Sequence, residues 1–189
     1  MILYKRYSSY EQYVAKQKKK TQDPARIAKW KGEEWQIKMD GFKQVFGRNE
    51  PYLGKKAICL GSRTGQEVAV LREINVDAIG VDLVAFPPYT IEGDIHELEF
   101  ADDEFDFAYT NIFDHSLYPD RFVSAMERVC KGNILLNLQL NTKGDDFSEN
   151  EVSDPADVVA LFKRSNVIKS CSIKDEFDAM NYELVMKRG

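Results

Sequence analysis

Two glycines, two aspartates and a histidine carry the chemistry open to this sequence. Gly61 and Gly65 stand in "CLGSRTGQE", residues 59–67, with Arg63 between them. Asp82 sits in "GVDL", 21 residues after Gly61. Asp94 sits in "GDIHELEF" and His115 in "FDHS". Glycine turns let a ligand approach backbone, and a helix that follows leaves its first N–H groups free for a carboxylate or phosphate. A carboxylate at the spacing of Asp82 can accept hydrogen bonds from two vicinal ribose hydroxyls. Asp94 could accept from an exocyclic amine such as that of adenine, or merely cap its turn. Histidine titrates near neutrality, so His115 is a candidate general base, with Asp114 a weaker one. Local packing is the competing role for this histidine.

The loop departs from two phosphate-cradle patterns. A dinucleotide fingerprint counted from Gly61 needs glycine at 63 and 66, where Arg63 and Gln66 stand. No Gly-Lys-Ser/Thr follows, so the P-loop pattern fails as well. A nucleoside cofactor without phosphates fits better. Thr64-x-x-Glu67 reads as a capping box, which gives Glu67 a structural role. Arg63 either meets a cofactor carboxylate or points to solvent.

These residues need a scaffold that brings loop ends together. Residues 8–20 read as a polar helix after a serine cap, and residues 24–47 as one or two more, opened by Pro24. Trp30, Trp35, Ile37, Phe42, Val45 and Phe46 form an expected buried stripe. From Lys55 the pattern becomes strand and helix in alternation. "KKAICLG", "DAIGVDL", "PPYTIEGDI", "EFDFAYTN" and "NILLNLQL" read as strands. "TGQEVAVLREIN", "PDRFVSAMERVC" and "SDPADVVALFKRS" read as helices. Alternation implies βαβ units and a parallel sheet, with ligands beyond the carboxyl ends of its strands. "NVIKSCSI" and "NYELVMKR" are separated only by "KDEFDAM", which suits an antiparallel pair. The expected fold is therefore α/β, a doubly wound, mostly parallel seven-stranded sheet with a final antiparallel pair. Residues 1–50 form a helical front segment and residues 51–189 the core, as parts of one domain.

The chain has 189 residues and a net charge of −5, unevenly spread. Residues 1–50 carry 12 Lys/Arg against 6 Asp/Glu, and the remainder 14 against 25. A basic front suits a solvated face, or a lid or arm that meets an anionic partner. Residues 91–120 hold ten acids and no Lys/Arg, a solvated loop or an attraction for a cationic ligand. Cys59, Cys130 and Cys171 are far apart, without metal-ligand spacing, and suggest reduced thiols in a cytoplasmic protein, with Cys59 and Cys171 in the core. No apolar run approaches the roughly 20 residues of a membrane span. Oligomeric state is not legible. Tyr4, Tyr7, Tyr10 and Tyr13 recur every three residues, as a packing stripe or a lid.

Residues 55–140 resemble the class I S-adenosylmethionine-dependent methyltransferases. "KKAICLGSRTGQE" looks like their first motif, "GVDL" like their second, and "GDIHELEFADDEFDFAYTNIFDHS" like the stretch that follows. "PDRFVSAMERVCKGN" resembles their next helix. The resemblance implies S-adenosylmethionine as cofactor. Gly61 and Gly65 would then line its methionine end, Asp82 would bind its ribose, and Asp94 with Ile95 would meet its adenine, with Ser62, Arg63 and Leu83 also among the cofactor-binding residues. Asn111 would lie near the sulfonium. Cys59 stands where the family carries an acid, and Arg63 where it carries a middle glycine. Tyr10, Tyr13, Trp30 and Trp35 of the front segment are the expected acceptor contacts, most simply for a small molecule. RNA or protein methylation with the basic front as docking arm, a non-catalytic binding protein and a nucleotide-linked oxidoreductase are the alternatives.

Overall fold

The computed structural model describes residues 1–4, 6–174 and 180–189. A two-residue strand β1 (Ile2–Leu3) leads into helices α1 (Tyr10–Thr21), α2 (Pro24–Lys31) and α3 (Glu33–Arg48). Asp23 caps α2 by accepting from the Ala25 and Arg26 N–H groups, with Pro24 in the first turn where no donor is needed. Then follow β2 (Lys56–Leu60), α4 (Gln66–Glu73), β3 (Asp77–Asp82), β4 (Thr90–Glu92) and β5 (Phe105–Thr110). The chain continues through α5 (Pro119–Val129), β6 (Cys130–Leu138), β7 (Asn150–Glu151) and α6 (Pro155–Val159). It closes with β8 (Ser165–Ser172) and β9 (Tyr182–Arg188).

Seven strands form one sheet in the order β4-β3-β2-β5-β6-β9-β8. The first five are parallel; β9 runs antiparallel to both β6 and β8. Strand order reverses beside β2, so the loops after β2, β3, β4 and β5 converge at one rim. Side chains alternate across the sheet and feed two cores. Ile58, Leu60, Ala108, Ile134 and Leu136 face α5, whose Phe122, Val123, Met126 and Val129 are fully buried. Ala57, Cys59, Phe107, Tyr109 and Leu135 face α3 and α4, where Phe42, Phe46, Val68 and Leu71 cover them. Burial on both faces is why β2 and β6 read as continuous apolar runs.

Several expectations change. The antiparallel closing pair is present, while most of "KDEFDAM" lies outside the described residues. The helix expected at 153–165 has only five residues, because its chain turns to feed β8. An additional ribbon pairs β1 with β7 antiparallel, joining Ile2 to Glu151 and Leu3 to Asn150. Two-residue strands carry too little periodicity to be read from sequence. Trp30, Phe42, Val45 and Phe46 are buried, but Ile37 is 63% exposed, since it falls outside the face α3 turns to the sheet. Cys171 is only half-buried, being on the edge strand β8; Cys59 and Cys130 are the interior thiols. No capping box opens α4. Gly65, in left-handed conformation (φ +84°), takes the cap position, and the Thr64 hydroxyl bonds the Gln66 side chain instead.

Candidate active site

The glycine loop follows β2 directly. Gly61 (φ +75°) and Gly65 are both left-handed, and a Cβ at Gly61 would lie 2.1 Å from the Ile112 side chain. Arg63 holds a left-handed conformation without being glycine (φ 44°), stabilised by its own N–H donating to Asp82 at 2.9 Å. Its guanidinium lies 5.1 Å over the Trp30 ring. Ser62 turns inward and donates to the Cys59 carbonyl at 2.7 Å.

Asp82 ends β3 with its carboxyl buried. Burial pushes its pKa up, and the Arg63 and Val84 N–H groups oppose that. Each carboxylate oxygen keeps a further lone pair for a ligand hydroxyl. Asp94 accepts from the Tyr10 hydroxyl at 2.6 Å and from the His96 N–H at 2.8 Å. Burial alone would raise its pKa, but the bonds from His96 and Tyr10 outweigh it and bring the carboxyl to about 2.

Three open spaces meet at this rim. The first, about 510 Å³, is lined by Gly61, Asp82, Leu83, Asp94 and Ile95, with Tyr13 closing it from α1. The second, about 320 Å³, lies beside Ser62, Glu67, Lys38 and Asn111. The third, about 1220 Å³, is lined by Trp30, Lys20, Asn111, Gln139 and Ser148, among others. Arg63 and Ile112 border all three, and Lys20 and His115 border the first and third.

His115 stands between the first and third spaces. Its Nδ1 lies 2.9 Å from the Phe147 carbonyl. A carbonyl only accepts, so the proton sits on Nδ1 and Nε2 carries the lone pair. Burial holds its pKa below the ordinary value, with the Lys20 and Arg63 charges adding to the effect and Asp114 opposing it. The Lys20 Nζ is 3.5 Å from Nε2 and donates to Asp145 at 3.0 Å. Burial lowers the Lys20 pKa, with Arg63 next in effect. Burial would raise Asp145, but the Lys20 bond brings it to about 2.

The structure sorts the expected residues. It brings together Gly61, Arg63, Asp82, Leu83, Asp94, Ile95 and His115 with Tyr13, and Ser62 and Asn111 with Trp30. Gly65 shapes the turn, its missing Cβ leaving room for Tyr89. Tyr10 does not line these spaces: its hydroxyl is held by Asp94 and His96, and its ring stacks 5.6 Å from Tyr118. Trp35 is also away from them, because Gly32 breaks the chain between α2 and α3 and sends it against Tyr89, 5.6 Å between rings. Sequence reasoning missed Gln17 and Lys20, although they share a helix face with Tyr10 and Tyr13 at spacings of three and four. Lys38, Asp145 and Ser148 left no signal, since only the fold brings them to the rim. Among the described residues no group of three His, Cys, Asp or Glu could hold a metal ion. Nor is any of their helices long and apolar enough to cross a membrane.

Comparison with known proteins agrees with this fold. Residues 58–136 match the family described as "Methyltransferase domain". A Burkholderia thailandensis 1,6-didemethyltoxoflavin-N1-methyltransferase, solved with bound 1,6-didemethyltoxoflavin and S-adenosylhomocysteine, shares the fold (TM-score 0.72, 12% identity). The match covers 98% of this chain and 92% of that one. An S-adenosylmethionine-dependent methyltransferase of Aquifex aeolicus is similar over 93% of this chain and 98% of its own (TM-score 0.63, 14% identity). The [4+2]-cyclase SpnF shares the fold too, over 79% and 80% (TM-score 0.61, 12% identity). No curated protein sequence matches the chain. Residues 58–136 thus match a methyltransferase domain, and the fold around them is the one seen in S-adenosylmethionine-dependent methyltransferases.

Proposed function

We propose that the protein methylates a small-molecule acceptor by in-line displacement, under a lid formed by residues 1–50. The observation that carries this reading is the junction at Arg63, Ile112, Lys20 and His115, where the cleft of Asp82 and Asp94 opens into the third space. The donor set fits the cofactor. Asp82 has spare lone pairs for a diol, Asp94 for an amine, and Leu83 and Ile95 supply apolar walls for a purine. When bound, the cofactor supplies an electrophilic methyl group on a sulfonium. The chain aligns the acceptor and keeps water away, which is the main catalytic task in such a displacement. His115 takes the acceptor's proton at Nε2, and the Phe147 carbonyl holds the ring in that tautomer. Asp145 holds Lys20 beside it.

Two features favour a small acceptor over RNA or protein. Lys20 and Tyr13 of the front segment close over the cleft. Several of its other cations pair with acids of the chain: Lys18 with Glu92, Lys29 with Glu34 and Lys43 with Glu73. Calorimetric titration with S-adenosylhomocysteine tests the cofactor site, and no binding at millimolar levels would sink it. Incubation with methyl-labelled cofactor and a fractionated cell extract tests the acceptor. Label is expected among small molecules; label confined to RNA or protein overturns this choice.

A further inference from the structure

Cys59 stands where this family carries an acid, and an acid reaches the same place from another element. On β2, Cys59 faces the layer of α3 and α4. Glu67, in the first turn of α4, is 4% exposed. Burial pushes the Cys59 thiol well up, and the charge of Glu67 adds to the effect. Around Glu67 stand its own N–H, the Ser62 hydroxyl, Lys38 of α3 and Arg63 of the loop. All of these residues border the second space of the site, next to Gly61 and Asn111. A carboxyl and two cations around one small cavity complement a zwitterion, as the end of an α-amino acid is.

We propose that Glu67 anchors the α-ammonium group at the cofactor's methionine end, with Arg63 and Lys38 toward its carboxylate, so that an acid on the helix replaces the missing acid of the strand. This rests on the methyl-donor reading above. It also implies a proton count. Burial pushes Glu67 up to about 7, against the pull of its own N–H, Ser62, Lys38 and Arg63. An arriving ammonium favours the carboxylate, so binding expels the proton that Glu67 held. The free form then has the higher pKa, so affinity rises with pH up to about 7 and levels off until the ligand's own ammonium loses its proton.

The test is calorimetric titration with S-adenosylhomocysteine and with its analogue lacking the amino group. It is run at about pH 6.5, where the ligand's amine is charged, in two buffers of different ionisation heat. Wild type is expected to release a proton with S-adenosylhomocysteine and to bind it about tenfold or more tightly than the analogue. Glu67→Gln is expected to lose the proton release and that tenfold preference, while analogue binding stays within about twofold. The variant keeps the shape of the side chain. A buried acid with a raised pKa costs stability once it ionises, so the neutral variant should melt no lower than wild type at about pH 8. Equal losses for both ligands, no loss, or proton release that persists in the variant overturns the proposal. Wild type that binds both ligands equally overturns it while leaving the methyl-donor reading intact. Wild type that binds neither overturns both.

Discussion

The Phe147 carbonyl decides what His115 can do. By holding the Nδ1 proton, it leaves Nε2 as the only basic nitrogen, at the border of the cofactor cleft and the wider chamber. Burial lowers the pKa of His115, so the base form persists through neutral pH, and activity is lost only as pH falls through a value below the usual ~6.5. With an acceptor that must lose a proton, His115→Gln is expected to lower kcat by roughly 100-fold or more and to abolish that acid limb. Affinity for S-adenosylhomocysteine should stay within about twofold, as measured by calorimetry; an unchanged rate would remove His115 from catalysis. Asp82 acts differently. Asp82→Asn leaves the Arg63 and Val84 N–H groups facing an amide, which can accept with only one oxygen. Affinity for S-adenosylhomocysteine is expected to fall about tenfold or more, and titration that shows no weakening would exclude Asp82 from the ribose site.

At the scale of elements, the front segment is held to the core by its tyrosines. Tyr4 donates to Glu151, Tyr7 to Glu149 at 2.5 Å, Tyr10 to Asp94 at 2.6 Å and Tyr13 to the His115 carbonyl at 3.1 Å. The stripe that repeats every three residues is thus a row of pins along the rim. Tyr10→Phe removes one pin and one of the bonds that depress Asp94. The sign follows from the pKa of about 2 for Asp94, below its unfolded value: its contribution is present above the unfolded pKa and lost as pH falls through about 2. The variant should therefore lose acid resistance, its urea midpoint declining at higher pH than that of wild type. Tyr7→Phe with Tyr10→Phe should speed hydrogen exchange in α1 while leaving β6 unchanged; equal protection of α1 would mean the pins hold nothing.

For the whole molecule the question is whether the basic front and the acidic core are one folding unit. Phe46 of α3 is 1% exposed, with its ring 5.1 Å from Tyr109 and 6.4 Å from Phe107 in the middle of the sheet. That interlock favours a single cooperative transition. Both tryptophans, Trp30 and Trp35, lie in the front segment, so their fluorescence reports it alone, whereas far-ultraviolet dichroism reports the whole chain. The two denaturation curves are expected to coincide. Phe46→Ala should shift both by about 3–5 kcal/mol, and separate midpoints would show a front that unfolds on its own.

Sequence alone determined the layered α/β architecture, because strands buried on both faces leave apolar runs and helices leave a periodic face. It also determined where the site residues fall: Asp82 ends a strand, Gly61, Asp94 and Asn111 come just after one, and parallel strands must end at one rim. What it could not show is which side chains from distant elements meet there. Lys20, Lys38 and Asp145 come from three parts of the chain with no shared period, and only packing joins them to Arg63. Glu67 is the clearest case. In one dimension Thr64-x-x-Glu67 is a helix cap; in three, a left-handed Gly65 takes the cap and Glu67 is buried at the border of the second space. Local patterns report the hydrogen bonds of neighbouring residues, whereas a site is made by long-range contacts that carry no local signature.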